Sequence, residues 1–283
     1  MIHTAKQLKD LVRNRSGGDS LRSQLILRNY MMERFLERLA LSPYREHFIL
    51  KGGLLLSAIV GLDNRSTMDI DTTLKGLPLS VESMENILAE ILSVQVDDGV
   101  SFSVKSISEI MDEVEYGGIR ASLEAALNTM RTPLKIDVST GDMITPREVE
   151  FPYKLMFEDR NISVLAYNLE TVIAEKLETI LSRGTANTRM RDFYDLYILT
   201  HGGGQPIDRV LLSAALEATA TRRGTLALVR AGKEIVAELP SDVEMRRLWT
   251  NYQWKYSYAA LISWEAAVEA VLPLLNVADG AAE

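Results

Sequence analysis

The chain of 283 residues contains no cysteine and only three histidines, His3, His47 and His201. The absence of cysteine excludes a disulfide scaffold and a thiolate zinc site. The three histidines are far apart in the sequence, which argues against an imidazole-based metal site and against Ser-His catalysis. Two large classes of metal and catalytic site are therefore disfavoured before any motif is considered.

Long apolar runs and an excess of basic residues are also missing. No apolar segment reaches the roughly 20 residues that cross a bilayer, and the first residues, MIHTAKQLKD, lack the apolar core of a signal peptide. We therefore expect a cytoplasmic protein with no membrane association. The net charge of −8 argues against nonspecific coating of nucleic acid, although Arg183, Arg189 and Arg191 could form a local basic site. The length allows one or two domains.

Residues 48–73, FILKGGLLLSAIVGLDNRSTMDIDTT, organise the rest of the chain. The pattern predicts a buried strand at 48–50, a break at Gly52-Gly53, a short apolar helix and a second strand that carries Asp69 and Asp71. Residues i and i+2 of a strand point the same way, with Cα atoms about 7 Å apart. Two carboxylates in that arrangement can hold one or two hard divalent cations. The alternative is an exposed strand edge.

A third acidic residue falls on a predicted β-hairpin at 118–138. The composition of this segment favours a helix, but its apolar residues alternate strictly on both sides of a turn near 131–133, which is typical of strands. Asp137 then lies on the face opposite Ile136 and Val138. It is either a solvent-facing residue or a third carboxylate of the site. Residues 142–160 that follow are predicted to be a loop.

The C-terminal half is predicted to be helical. Asn168 caps a helix that Gly184 ends, and Lys176 falls at the centre of its apolar face, between Val172 and Ile180. Lys176 could serve a site, or could extend from the helix edge to solvent. Further helices are predicted at 189–200, 207–220, 224–238, 241–258 and 260–275, with Trp249, Trp254 and Trp264 in the core.

Asp192 and Asp195 share one side of the predicted helix at 189–200. Because residues three or four apart are neighbours on a helix, the two aspartates could pair structurally with Arg189 or Arg191. They could equally complete a site with Lys176.

These groups together fit metal-dependent nucleotidyl transfer. Carboxylates bind Mg²⁺, which bridges the triphosphate and offsets the charge that develops at the leaving pyrophosphate. Glycines at a strand-to-helix turn let backbone N–H groups approach phosphate oxygens, and a cationic side chain steadies the triphosphate. Arg65 could either cap a loop or contact phosphate.

The order of these residues resembles a known superfamily, the DNA polymerase β-type nucleotidyltransferases. Within it, the chain is similar over nearly its whole length to the AbiEii/MenT toxins of type IV toxin–antitoxin and abortive-infection systems. The segments that carry the resemblance are Lys51-Gly-Gly, Arg65-x-Thr67-x-Asp69-x-Asp71, Lys135-Ile-Asp137-Val, Ala174-Glu-Lys176 and Arg191-Asp192-x-Tyr194-Asp195-Leu.

The resemblance implies an α+β fold, with a mixed sheet flanked by helices in residues 1–166 and an α-helical domain in residues 167–283. It implies an enzyme that uses Mg²⁺ or Mn²⁺ to transfer a nucleoside monophosphate from an NTP to RNA. The expected acceptor is the 3′ end of tRNA, and the consequence is a block of translation and growth. A cognate antitoxin encoded nearby is the expected partner, whether or not it contacts the toxin directly.

The resemblance also implies roles for particular residues. Asp69, Asp71 and Asp137 would be metal ligands, and Asp69, Asp71, Lys176 and Asp192 would be catalytic. The nucleotide would be bound by Lys51, Gly52, Gly53, Arg65, Lys176 and Asp195.

One position departs from the pattern of the relatives. Many of them have Ser or Thr directly after the two glycines, where the hydroxyl meets a phosphate, but this chain has Leu54. The departure puts nucleotide affinity or choice in doubt. Two alternative functions therefore stay open: transfer to a protein hydroxyl or a small molecule, and binding of nucleotide or a partner without catalysis.

Overall fold

The computed structural model describes residues 2–110, 117–202 and 206–279. The chain divides into two compact units, each built from more than one segment. Unit 1 comprises Met1–Ala58, Ser66–Asp142 and Val149–Ala166, and unit 2 comprises Ile59–Arg65, Met143–Glu148 and Tyr167–Glu283. The predicted domain boundary after residue 166 stays a prediction.

Unit 1 is built on a mixed sheet of seven strands. The strands are β1 Phe48–Lys51, β2 Ile70–Leu74, β3 Val100–Ile110, β4 Gly118–Leu127, β5 Met130–Ser139, β6 Val149–Lys154 and β7 Asn161–Ala166. Their order across the sheet is β3-β4-β5-β2-β1-β7-β6. The pairs β2–β5 and β1–β7 are parallel, and the other neighbours are antiparallel.

Four helices accompany this sheet: α1 Ala5–Ser16, α2 Ser20–Leu41, α3 Gly52–Val60 and α4 Val81–Ser93. The long helix α2 begins where the Asp19 side chain accepts a hydrogen bond from the Arg22 N–H (2.7 Å), as expected of an N-cap. It packs against β5, β7 and α4, and its buried face includes Met32, Phe35 and Leu36.

The predicted hairpin is confirmed as β4 and β5. The two strands pair from Ile119 opposite Val138 to Leu127 opposite Met130, and Asn128 in the turn has a positive φ of 52°. Buried and partly exposed residues alternate along β4. The period-2 pattern therefore outweighs the helical composition, because one face of the hairpin is buried.

The predicted loop at 142–160 was wrong in its middle, where β6 forms. β6 contains Pro152, and proline lacks the N–H that a central strand requires. β6 lies at the edge of the sheet, where Pro152 opposite Ser163 is tolerated.

Unit 2 is helical. Its helices are α5 Leu169–Arg183, α6 Met190–His201, α7 Arg209–Arg222, α8 Leu226–Arg230, α9 Gly232–Glu238, α10 Val243–Lys255, α11 Trp264–Glu269 and α12 Leu272–Asp279. The Asn168 cap is confirmed, since its side chain accepts a hydrogen bond from the Thr171 N–H at 2.8 Å. None of the helices in the described residues is both long enough and apolar enough to span a membrane.

Three sequence predictions for unit 2 were wrong in detail. The helices predicted at 224–238 and 260–275 are each divided into two, the first near Gly232, a poor helix former, and the second before Pro273, which has no N–H to donate. Trp249 and Trp264 are buried, but Trp254 is 88% exposed. The buried face of α10 follows Met245, Trp249 and Tyr252 at helical spacing, and Trp254 lies off that face.

Candidate active site

A row of four charged residues crosses neighbouring strands of unit 1. Lys51 on β1 is opposite Asp71 on β2, Asp71 is opposite Asp137 on β5, and Asp137 is opposite Arg120 on β4. Directly opposed residues share a face of the sheet. Two carboxylates therefore lie side by side with a cation at each end of the row.

Asp71 also contacts the glycine turn that begins α3. Gly52 has φ +63°, and a Cβ on it would stand 2.2 Å from Asp71 Oδ2. The N–H of Gly53 donates a hydrogen bond to the same oxygen at 3.3 Å. Glycine is thus required at position 52 both by the backbone conformation and by the closeness of the Asp71 carboxylate.

The charges around Asp71 favour a bound cation. Burial raises the pKa of Asp71; the Gly53 N–H and Lys51 oppose that effect, and Asp137 and Asp69 add to it. Carboxylates are the hard oxygen ligands that Mg²⁺ and Mn²⁺ prefer. The residues of this strand cluster (Asp69, Asp71 and Asp137) carry ligand atoms of the kind that a divalent metal takes.

The three predicted metal ligands are placed differently from one another. β2 begins at Ile70, so Asp69 immediately precedes the strand rather than lying within it as predicted. Both carboxylate oxygens of Asp137 accept hydrogen bonds from Arg120, at 2.7 and 2.6 Å. Within the described residues, no three His, Asp or Glu side chains are already arranged around a metal position. The metal roles of Asp69, Asp71 and Asp137 stay predictions.

Lys51 belongs to a partly buried polar network that the sequence analysis missed. Its Nζ lies 2.5 Å from Asp142 Oδ2 and donates to the Ser139 hydroxyl at 2.7 Å. The Thr73 and Ser139 hydroxyls donate to the same Asp142 oxygen, each at 2.7 Å. Although burial opposes ionisation, these partners lower the pKa of Asp142 to about 2. The polar run Ser139-Thr-Gly-Asp142 after a strand was the available signal.

Unit 2 contains a second group of predicted residues, the helix cluster (Arg65, Lys176, Asp192 and Asp195). Lys176 Nζ lies 2.7 Å from Asp192 Oδ1 and 2.7 Å from Asp195 Oδ2. Arg65 Nε lies 2.6 Å from Asp195 Oδ1, and its Nη2 donates to Oδ2 at 3.3 Å. Lys176 therefore faces two carboxylates, and the interpretation that it extends from the helix edge to solvent was wrong.

The helix cluster is charged in spite of its burial. Burial alone would lower the pKa of Lys176, but Asp192 and Asp195 outweigh it, and the pKa is raised. Burial would raise the pKa of Asp195, but Lys176 and Arg65 outweigh it, and the pKa is lowered. Both side chains are therefore held in their ionised forms.

Asp192 differs from Asp195 in one respect. It is 3% exposed, its Oδ1 accepts from Lys176 at 2.7 Å, and its Oδ2 has no hydrogen bond within the described part of the chain. The nearest cation to Oδ2 is Arg189, with Nε at 3.1 Å. Of the predicted pairings with neighbouring arginines, only Arg189 with Asp192 is observed.

The tyrosines around the helix cluster were also missed as neighbours of the predicted site. The Tyr194 hydroxyl donates to the backbone carbonyl of Asn64, directly before Arg65. The rings of Tyr252 and Tyr258 lie 6.0 and 4.7 Å from that of Tyr194. Leu54, the position that departs from the relatives, is fully buried, so it offers packing and no polar contact.

Solved structures share the fold of this chain. Two crystal structures from Helicobacter pylori have a similar fold: one described as a proposed nucleotidyltransferase, and protein JHP933. Each is 18% identical with a TM-score of 0.51, over 92% of this chain and 96% or 94% of the other. Among curated proteins, no significant match is found.

Comparison of the sequence with protein-family models identifies the family. The model of the AbiEii toxin nucleotidyltransferases, type IV toxin–antitoxin system, matches residues 34–270. The chain belongs to this family. The predicted fold and family are confirmed, and membership implies an enzyme of nucleotidyl transfer, a toxin, and an antitoxin as partner. The closer likeness to the MenT toxins stays a prediction.

Proposed function

We propose that this protein transfers a nucleoside monophosphate from an NTP to a hydroxyl of RNA, with the 3′ end of tRNA as the acceptor and Mg²⁺ or Mn²⁺ as cofactor. Modified tRNA would no longer support translation, and growth would stop. The observation that carries the proposal is the pair of adjacent strand carboxylates, Asp71 and Asp137, next to the Gly52 turn.

The strand cluster supports the metal part of the proposal. Asp71 accepts one backbone hydrogen bond from Gly53. Among its charged neighbours, Lys51 favours its ionised form, and Asp137 and Asp69 oppose it. Its carboxylate therefore has ligand capacity left for a metal. A divalent metal bound there would polarise the α-phosphate and offset the charge of the leaving pyrophosphate. Asp69, which precedes the strand, and Asp137, once released by Arg120, are the other proposed ligands.

The helix cluster of unit 2 provides a cation suited to phosphate. Arg65 shares the negative charge of Asp195, so Lys176 is not fully neutralised by its two carboxylates. We assign Lys176 to the phosphates of the nucleotide, where a fixed ammonium stabilises developing negative charge. Asp192 and Asp195 hold the Lys176 ammonium in position.

The proposed reaction is an in-line displacement. The RNA hydroxyl oxygen bonds to the α-phosphorus, the bond from that phosphorus to the pyrophosphate oxygen breaks, and the hydroxyl proton passes to solvent. The products are RNA extended by one nucleotide and pyrophosphate.

A labelling assay tests the proposal. Each of the four NTPs, labelled at the α-phosphate, is incubated with the protein, total RNA and Mg²⁺. We expect label in tRNA with at least one NTP, and a loss of about 100-fold or more for Asp71→Asn and Lys176→Ala. Matched controls are Asp97→Asn and Lys9→Ala, which change the same charges at exposed positions. Equal labelling by all variants would contradict the proposal.

The same assay separates the alternative acceptors. Label that survives RNase but not protease would identify a protein hydroxyl as the acceptor. Label found in small molecules would identify a small molecule as the acceptor. If no NTP is transferred yet NTPs raise the melting temperature without metal, the chain binds nucleotide without catalysis.

A further inference from the structure

Unit 2 contains a groove to which the proposed reaction assigns no ligand. A cavity of about 420 Å³ lies beside the start of α6 and the C-terminal half of α10. We call it the α6–α10 groove and define it by Arg189, Arg191, Asp192, Asn251, Lys255 and Tyr256. Its volume is at the lower end of the range for small-ligand sites, about 300–1,000 Å³, which suits one nucleotide and not a duplex.

The rim of the groove is positively charged although the chain has a net charge of −8. Arg191 Cζ and Lys255 Nζ lie 5.4 and 5.5 Å from the centre of the Tyr256 ring, and Arg191 donates to the Tyr256 hydroxyl at 2.8 Å. Within the described residues, Arg191 and Lys255 form no ion pair with a carboxylate, whereas Arg189 Nε lies 3.1 Å from Asp192 Oδ2. The side chain of Arg189 is 57% exposed. Three cations at one cavity attract an anionic ligand such as a phosphate chain.

The wall of the groove also presents a carboxylate oxygen, Asp192 Oδ2, that forms an ion pair with Arg189 Nε at 3.1 Å but accepts no hydrogen bond within the described residues. Asp192 lines the cavity, is almost fully buried, and its Oδ2 makes no hydrogen bond in the part of the chain that is described. A buried carboxylate oxygen is stabilised by a donor, and a hydroxyl is a donor that can approach it. Cations for phosphate and an acceptor for a hydroxyl are the two features that a ribose-phosphate terminus requires.

We propose that the α6–α10 groove binds the terminal nucleotide of the single-stranded RNA acceptor. Arg189 and Lys255 contact its phosphates, and a hydroxyl of the terminal ribose donates to Asp192 Oδ2. The ring of Tyr256 stacks on that of Tyr258, with the ring centres 5.4 Å apart at an angle of 21°. Tyr256 in turn contacts Arg191 and Lys255 at the rim of the groove. The proposal rests on the proposed function in that it takes RNA as the acceptor.

The salt dependence of binding tests the phosphate contacts. A fluorescent ten-nucleotide RNA with a free 3′ end is titrated with protein by anisotropy between 50 and 200 mM salt, without NTP or divalent metal. Each phosphate contact on a single strand contributes about 0.7 to the slope of log K against log salt. The double variant Arg189→Gln/Lys255→Gln should therefore have a slope about 1.4 smaller than that of wild type. Between 50 and 200 mM salt, wild type should then lose about sevenfold more affinity for the RNA than the double variant loses.

A matched variant controls for the loss of charge alone. Arg246→Gln/Arg247→Gln removes two exposed cations from the same helix, outside the groove, and should bind RNA with the wild-type slope. Circular dichroism checks that both double variants are folded. Equal slopes for the groove variant and wild type, or equal reductions in both double variants, would overturn the proposal.

The terminal hydroxyl contact has its own test. The same RNA with a 2′,3′-dideoxy terminus should bind wild type about tenfold more weakly, because the hydrogen bond to the Asp192 carboxylate is lost. Equal affinity for the two RNAs would overturn this contact.

A kinetic comparison separates this proposal from the proposed function. If wild type labels tRNA and the groove variant has an unchanged KM for tRNA, the groove proposal fails and the function stands. If RNA binds at the groove but is never labelled, the function fails and the groove proposal stands. If the groove variant weakens NTP binding by thermal shift and leaves RNA binding unchanged, the groove binds the donor, and the proposal is overturned.

Discussion

Gly52→Ala should both destabilise unit 1 and displace Asp71. The new Cβ would lie 2.2 Å from Asp71 Oδ2 and 2.8 Å from Asp71 Cβ and Cγ, at a residue with φ +63°. The left-handed conformation costs a non-glycine residue about 1–2 kcal/mol, and forcing an atom into occupied space costs a further 1–3 kcal/mol or so. We expect a total loss of about 2–5 kcal/mol in the free energy of unfolding.

Gly17 provides a matched control for the backbone contribution. It has the same φ of +63°, but a Cβ there meets nothing within 4 Å. Gly17→Ala should therefore cost only the conformational part, about 1–2 kcal/mol. The difference between the two variants, about 1–3 kcal/mol, isolates the contact with Asp71.

Urea unfolding followed by far-UV circular dichroism gives the two free energies. Hydrogen exchange of the β2 amides localises the loss to the sheet of unit 1. Gly52→Ala should lose nucleotidyl transfer activity, as Asp71→Asn does, whereas Gly17→Ala should remain active. Equal destabilisation by the two alanine variants, with activity retained in both, would refute the conclusion that Gly52 is required by the Asp71 carboxylate.

Three further predictions follow from the charged groups. Arg65→Met should lower the free energy of unfolding by about 3–5 kcal/mol, because Asp195 is left incompletely paired; tryptophan fluorescence during unfolding measures the loss. Adding Asp195→Asn should recover part of it, and no recovery would contradict the pairing. The pKa of Asp142 falls from 3.8 to about 2 on folding. The ionised carboxylate therefore contributes about 2 kcal/mol to the free energy of unfolding. This stability is present above pH 4 and lost as the pH falls towards 2, and Asp142→Asn should abolish that part of the acid dependence; an unchanged acid transition would refute it. Because burial and like charges raise the pKa of Asp71, ionised Asp71 destabilises the metal-free fold. Asp71→Asn should therefore unfold at higher temperature than wild type in EDTA at neutral pH, and Mg²⁺ should narrow the gap by stabilising wild type; a lower melting temperature in EDTA would contradict this.

The sequence was sufficient where a local pattern decides the structure. Asp19 and Asn168 cap helices because their side chains satisfy N–H groups only three residues away. The β4–β5 hairpin follows from the alternation of apolar residues along 118–138. Asp192 and Asp195 meet Lys176 because the spacing of three residues puts both aspartates on one side of α6.

The sequence was insufficient where the partner is distant in the chain. Nothing near Asp137 indicates that Arg120 holds both of its oxygens, since this depends on the register of β4 against β5. Asp142 is the partner of Lys51 across 91 residues of sequence, because β1, β2 and β5 are neighbours in the sheet. Trp254 was assigned to the core by residue type alone, although its position on α10 exposes it.

The segments of the two units alternate along the chain, and this affects how the protein can be divided or recombined. A fragment starting at residue 167 would contain Asp195 and Lys176 but not Arg65, which belongs to the same unit and comes from far upstream. The motif from Arg65 to Asp71 is itself divided, with its arginine in unit 2 and its aspartates in unit 1. Chimaeras between relatives should therefore exchange residues 59–65 and 143–148 together with the helical half, because a single crossover would combine cations and carboxylates that never evolved together.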